Sequence, residues 1–576
     1  MQIIPGVIYM QRWAQYSKKL SLTFLCLILF ISVPSLTAAQ SALASDENLV
    51  KSIDETLTQT YKPNEPGASV IVVKDGKLVF RKGYGMANLE LGVPVEPDMV
   101  FRLGSVTKQF TAVAILMLAE QGKLSLDDDI TKFLPDYPAK TQRITVERLL
   151  THTSGIKSYT SLPEWLAMWR KDTELNELIG LFKDKPADFA PGERWSYNNS
   201  AYVLLGAIIE KASGQSYQDF IEKNIFQRLG MTHSFYDDTA RVIPRRVNGY
   251  SKSKDGYNNA PYLSMTQPHA AGALVSSVDD LALWDAALYT DKLVKQETLK
   301  RAWTPAKLAS GKLTHYGFGW ALNSYQGHTM IEHGGGINGF STYALRMPDD
   351  RVFVAVLTNK DSGGPGPGRV VLKIAALAVG KPYKDPTAIK LAPSVLDNYV
   401  GVYQLNEKEE ALIRREGEKL FVNFPGAGKT EISPSSEPEF FINDSRSRLS
   451  FTRNSAGLVT GFVLSGSSGP DQEATKTNKP LPAERQAVVL DPAPYDGYVG
   501  EYEIAPSLSI TITKDGSKLM AQAPGQPKLE LFPESQTKFF VKEAAIQIEF
   551  VVDGSGKATS LVLHQGGRQL PAKKIK

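Results

Sequence analysis

The chain has 576 residues, 42% hydrophobic and 22% charged, with a formal net charge of +4. It is too long for one hydrophobic core, ordinary in composition, and too nearly neutral to suggest nucleic acid or an anionic membrane as partner. One cysteine, Cys26, rules out a disulfide scaffold.

At the N-terminus, Arg12, Lys18 and Lys19 precede an apolar run from Leu20 to Val33. Small-residue sites follow at Thr37-Ala38-Ala39 and Ala42-Leu43-Ala44. This pattern predicts an export signal over residues 1–44, the run being short for a membrane span. Cleavage would remove Cys26 and lower the formal charge to +1. The mature chain is then expected in a bacterial periplasm or the medium, without a thiol or a stable membrane span.

Residues Ser69 to Phe80 carry a hairpin signal around Lys74-Asp75-Gly76-Lys77, Asp-Gly being a favoured tight turn. Next comes Ser105-Val106-Thr107-Lys108, at the head of a run apolar on every face (Phe110 to Leu118) that Gln121-Gly122 stops. A helix apolar all round belongs in a core, and Gly104 permits close backbone approach at its start. Ser105 and Lys108 share one face at the positive end of the helix, which should depress the lysine and let it accept the serine proton. The same spacing recurs at Ser251 to Lys254 and Ser535 to Lys538, but neither opens such a helix.

Helical periodicity continues over Ala201 to Ala212 and, after a capping signal at Ser277 with Asp280, over Leu281 to Tyr289. Just before the first of these, Tyr197 and Asn199 lie in the loop Trp195-Ser196-Tyr197-Asn198-Asn199-Ser200. A tyrosine between cations can shuttle a proton, and an asparagine can hold an amide. The plain alternative is a turn whose Asn caps the next helix. Strands are predicted at Gly317 to Leu322, Thr329 to Glu332, Ser341 to Arg346 and Val352 to Leu357. His333-Gly334-Gly335-Gly336 is read as following the second of them, its glycines exposing amides as an oxyanion hole. A helix over Val370 to Val379 closes the segment. Strands at both ends with helices inserted between predict α+β architecture around one antiparallel sheet.

Past a linker at Gly380 to Lys390 the chain repeats with an offset of 99 residues. Tyr399-Val400-Gly401-Val402-Tyr403 returns as Tyr498-Val499-Gly500-Glu501-Tyr502, and Phe440-Phe441 as Phe539-Phe540. Short alternating runs in each copy predict two small all-β, up-and-down barrels. The expected division is a signal at 1–44, a catalytic domain at 45–382, and barrels at 391–471 and 486–576, with Gln472 to Arg485 as linker.

In this order the motifs resemble the active-site set of the serine β-lactamase and penicillin-binding-protein superfamily, in particular its class C and esterase or D-aminopeptidase-like branch. Further matching strings are Phe101-Arg102-Leu103-Gly104-Ser105, Leu149-Leu150-Thr151-His152-Thr153-Ser154-Gly155, Leu229-Gly230-Met231 and Ala271-Gly272-Ala273-Leu274. The resemblance implies Ser105 as acylated nucleophile, Lys108 as its proton partner and Tyr197 as general base. It implies Asn199, His333 and Gly335 as substrate contacts, and the amides of Ser105 and Gly336 as oxyanion hole. No metal or cofactor is implied. Penicillin-recognising members carry Lys then Thr or Ser and Gly where His333-Gly334 stands, so a carboxylate anchor is missing. A small amide, short-peptide or ester substrate is therefore expected ahead of a β-lactam or a DD-carboxypeptidase substrate, with an inactive binding module as the reading of another class. The barrels resemble the lipocalin-like appendages of some peptidases in this branch and offer a surface for oligomerisation. A zinc hydrolase lacks its ligand spacing, and an α/β-hydrolase lacks its Gly-x-Ser-x-Gly elbow.

Overall fold

In the computed structural model the described residues are 36–576, apart from 139–141, 407–408, 426–428, 444, 467–470, 484, 506–507, 524–527, 543–545 and 566–567. The apolar run of the predicted signal lies outside them. Both small-residue sites fall within helix α1, Leu36–Thr60.

The hairpin forms as the Asp-Gly turn requires. Strands β1 (Ala68–Lys74) and β2 (Lys77–Tyr84) meet at Asp75 and Gly76, whose φ of 52° and 72° suit a turn that matches strand twist. The remaining strands of the sheet come from the far end of the segment: β3 (Ala321–Tyr325), β4 (His328–Ile337), β5 (Phe340–Met347) and β6 (Val352–Thr358). Among the described residues they make one antiparallel sheet in the order β3-β4-β5-β6-β1-β2, with Val70 opposite Val356.

Alternation along β6 sorts its side chains onto two cores, because successive residues point to opposite faces. Val352, Val354 and Val356 pack with Ile53 and Leu57 of α1 and with Val371 and Ile374 of a closing helix, Pro367–Ala378. Phe353, Ala355 and Leu357 face the inserted helical region instead. That region holds α2 (Thr107–Glu120), α3 (Asn199–Ser213), α4 (His269–Gly272) and α5 (Val278–Ala287). Helix α2 is buried at every position from Thr107 to Leu118, and each fully buried Leu, Ile or Val there contributes about 1.5–3 kcal/mol. Ser277 caps α5 by accepting from the Asp280 amide. The expected α+β class with a helical insertion is the observed one.

Two strand boundaries differ from the sequence reading. The third strand starts at Ala321 rather than Gly317, whose amide bonds the Trp320 carbonyl three residues on and not a neighbouring strand. Strand β4 does not end at Glu332 but runs on through His333 and the three glycines to Ile337. Pairing with β5 carries it, with Gly334 opposite Tyr343 and Gly336 opposite Ser341.

Each repeat closes into an up-and-down barrel, of eight strands among the described residues. In the first, the strand Gly401–Asn406 pairs with the last strand, Gln472–Lys476. The closing strand thus lies in what the sequence reads as linker, its polar side chains facing out of a barrel already filled. The second runs from Gly500–Ala505 to Arg568–Lys574. Aromatic side chains occupy the interiors, Tyr399, Phe440 and Phe451 in one and Tyr498, Phe539 and Phe550 in the other. The 99-residue register extends to hydrogen bonds. Tyr403 donates to the Tyr399 carbonyl at 2.6 Å and Tyr502 to the Tyr498 carbonyl at 2.7 Å. Ahead of each barrel the chain docks on it, the Ile389 amide on the Pro434 carbonyl and the Val488 amide on the Pro533 carbonyl.

Replacing either buried hydroxyl, Tyr403→Phe or Tyr502→Phe, should cost its own barrel about 1 kcal/mol of opening free energy. Hydrogen exchange read by mass spectrometry checks this. Effects that differ strongly between the copies would mean that the two bonds are not equivalent.

Candidate active site

Ser105 enters the site on a tight turn, Gly104–Val106, that runs directly into α2. Gly104 takes a φ of 52°, and its α-carbon faces β4 so closely that an added Cβ would lie 3.0 Å from the Gly336 amide nitrogen. Lys108, one turn on, is fully buried. Its Nζ lies 3.1 Å from Ser105 Oγ, 2.9 Å from Asn199 Oδ1 and 2.8 Å from the Ala271 carbonyl of α4.

Burial alone holds the Lys108 ammonium well below the usual lysine range. The direction is the expected one, and its cause is desolvation. No carboxylate pairs with Lys108 among the described residues. Aromatic rings surround it instead, with Nζ 4.7 Å from the ring centre of Tyr197 and 5.3 Å from that of Tyr202. A neutral amine has two N–H bonds and one lone pair. Asn199 Oδ1 and the Ala271 carbonyl only accept, so they take both hydrogens and leave the lone pair facing the Ser105 hydroxyl.

The loop before α3 both caps that helix and turns a side chain toward Lys108. Asn198 caps the helix, its Oδ1 accepting from the Ala201 amide at 2.9 Å and its Nδ2 donating to the Ile156 carbonyl. Asn199, one residue further, turns its side chain to Lys108 and donates from Nδ2 to Thr160 Oγ1 at 3.3 Å. The Tyr197 hydroxyl is buried without a hydrogen bond of ordinary geometry. Burial raises its pKa, and the nearby Ser105 hydroxyl pulls it partly back.

His333 lies beneath the cleft rather than on its wall. Its Nδ1 is 2.6 Å from the Gly334 carbonyl, which can only accept, so Nδ1 carries the proton and Nε2 accepts from the Tyr316 hydroxyl at 2.9 Å. Burial pushes its pKa well below the usual histidine range. With both nitrogens occupied and 4% of its surface exposed, it cannot reach substrate as the sequence reading expects. Gly335 is likewise a packing position, where a Cβ would lie 1.9 Å from the Leu103 carbonyl and 2.4 Å from Thr342 Oγ1. His152, also held neutral by burial, accepts from the Asn198 amide.

Two cavities flank these groups. The one that contains Ser105 has a volume of about 120 Å³, and its walls include Thr160, Trp165, Asn199, Leu263 and Gly336 but no charged side chain. Trp165 is fixed there by donating to the buried Gln267 at 3.1 Å. A larger chamber of about 1300 Å³ touches Trp195 and Tyr197, then Leu405 and Glu473 of the first barrel and Ile504 and Leu570 of the second. Ser105 and Asn199 line the smaller and Tyr197 the larger. The sequence reading did not assign the Ala271 carbonyl a role, though its string had been singled out. Tyr316 carried no signal at all, since its link to His333 exists only through space.

A family model described as Beta-lactamase matches residues 49–378, and a domain of unknown function, DUF3471, matches 484–573. Penicillin-binding protein 4* of Bacillus subtilis is 29% identical over 454 residues, covering 74% of this chain and 98% of its own length. Among solved structures, an octameric penicillin-binding protein homologue from Pyrococcus abyssi is 28% identical with a TM-score of 0.54, covering 74% of this chain and 99% of that one. D-amino acid amidase from Ochrobactrum anthropi SV3 shares the fold at 24% identity and a TM-score of 0.50, over 58% of this chain and 98% of its own.

The glycine geometry separates two neighbours. Gly335→Ala drives a methyl group into backbone and should cost at least about 3 kcal/mol. Gly336→Ala meets nothing within 4 Å and should change stability by less than about 0.5 kcal/mol. Thermal unfolding of both variants checks the contrast.

Proposed function

Since the chain belongs to the Beta-lactamase family and is a serine hydrolase, we propose that Ser105 is its nucleophile and that it works through an acyl-enzyme on a small amide, short-peptide or ester substrate. The carrying observation is the lone pair of a dry, unpaired Lys108 turned toward the Ser105 hydroxyl. Lys108 takes the serine proton as Ser105 Oγ attacks the carbonyl carbon. The backbone amides of Ser105 and Gly336 receive the oxyanion, each donor contributing roughly 3 kcal/mol. Tyr197, kept protonated by its burial, supplies a proton to the leaving group and regains one from the Lys108 ammonium. Water then attacks the acyl-enzyme along the same relay in reverse. Asn199 orients Lys108 and offers its amide to the substrate.

The uncharged cleft wall and the occupied nitrogens of His333 support a substrate without a free carboxylate. A second reading, β-lactam or DD-carboxypeptidase chemistry, is favoured by the likeness to the Bacillus subtilis penicillin-binding protein. Export rests on the sequence pattern of residues 1–44; among the described residues no helix is long and apolar enough to cross a membrane. The octameric state of the Pyrococcus abyssi homologue supports oligomerisation as a role for the barrels.

Ser105→Ala should abolish turnover of p-nitrophenyl esters and amino-acid amides and remove labelling by a fluorophosphonate, with the fold intact by circular dichroism. Retained turnover would move the nucleophile elsewhere. Lys108→Arg, a cation that cannot release its proton, should lower kcat/KM by about 10²–10⁴-fold. For the wild type, kcat/KM should rise with pH as Lys108 loses its proton. That limb should lie well below the usual lysine range, because burial disfavours the charged form. A panel that adds nitrocefin separates the two substrate readings.

A further inference from the structure

Strand β4 changes character at Glu332. Up to that residue β3 pairs one of its edges, Ala321 lying opposite Glu332. Beyond it only β5 continues, and the free edge faces the turn that bears Ser105. The exposed stretch includes Gly334, Gly335 and Gly336, which have no side chains with which to hold their own position.

Two groups flank that stretch on the face away from His333, and one residue of the first barrel ties both down. Glu332 is fully buried, accepting from Asn323 Nδ2 at 2.7 Å and from Arg446 Nη1 at 2.8 Å. Arg446 Nη1 also lies 3.1 Å from the Tyr343 hydroxyl. The Tyr343 ring in turn lies against Gly334, where an added Cβ would come within 3.0 Å of it. The Arg446 side chain is 15% exposed, so this is an ion pair made largely out of water, in which the loss of one partner strands the other.

We infer that Arg446 is a positioning residue for the reaction at Ser105: by neutralising Glu332 behind the strand, the first barrel sets the amide edge of Gly334 to Gly336 against the Ser105 turn. The inference rests on the proposed roles of Ser105 and Gly336. It makes the barrel a working part of the hydrolase scaffold, acting from behind the sheet and not through contact with substrate.

The test compares full-length Arg446→Met and Glu332→Gln/Arg446→Met with wild type on p-nitrophenyl butyrate. Arg446→Met should lower kcat by about 10- to 100-fold with KM nearly unchanged, the scale of a small displacement of a catalytic group. The double variant, with neither charge left, should return to within about threefold of wild type. A lowered Tm with unchanged kcat in Arg446→Met would overturn the inference, as would a folded double variant as slow as the single one. If the single variant does not fold, the double variant decides alone, and its own failure to fold also counts against the inference. Ser105→Ala, run alongside, keeps the readings apart. Full turnover in that variant sinks the nucleophile assignment, whereas an inert Arg446→Met beside a dead Ser105→Ala sinks only the clamp.

Discussion

A lysine kept out of water without a carboxylate to balance it is the constraint from which the rest of the site follows. An isolated buried ammonium costs several kcal/mol, and a protein escapes most of that cost by releasing the proton. Every group packed around Lys108 is consistent with that escape. His152 and His333 are themselves kept neutral by burial. Burial raises the tyrosines Tyr197, Tyr202 and Tyr316, so they stay uncharged too. An acid placed here would stabilise the fold and hold the lysine protonated; its absence is a stability cost accepted where reactivity needs it.

Such a base is useful only if the carbonyl under attack is held at a fixed distance from it, and that demand falls on backbone. Leu103 links the two sides. Its carbonyl accepts from Thr342 Oγ1 at 2.7 Å, which ties the turn before Ser105 to β5, and Gly335 lies against the same carbonyl. The proposed nucleophile and the proposed oxyanion edge therefore belong to one joint between helix and sheet. Close approach of backbone to backbone at Gly104 and Gly335 is what the absence of side chains there makes room for.

Ser105, Lys108, Tyr197 and Asn199 were legible in the sequence because each lies in a short string whose local chemistry can be read, and the repeat was legible because duplication preserves register. What escaped was set by contacts between distant segments. The glycines after Glu332 look like a loop by composition, yet β5 pairs them into a strand. His333 looks like a substrate ligand by its position in the motif, yet Tyr316 and the Gly334 carbonyl consume its nitrogens. Arg446 lies 114 residues from Glu332, a distance over which no spacing rule operates. The closing strand of the first barrel was lost because Gln472 to Lys476 is polar, and polar strands carry little periodic signal.

The docking of Ile389 and Val488 on their respective barrels shows where the duplicated unit begins. It starts upstream of the first strand and includes the segment that leads into the barrel, so each copy brings its own attachment. A module that carries its own strap can be added to a chain or lost from it without a matching surface having to evolve on its neighbour. In the first copy Arg446 ties the barrel to the sheet behind Ser105; at the corresponding place the second has Ala545. The barrels have one ancestry and two employments.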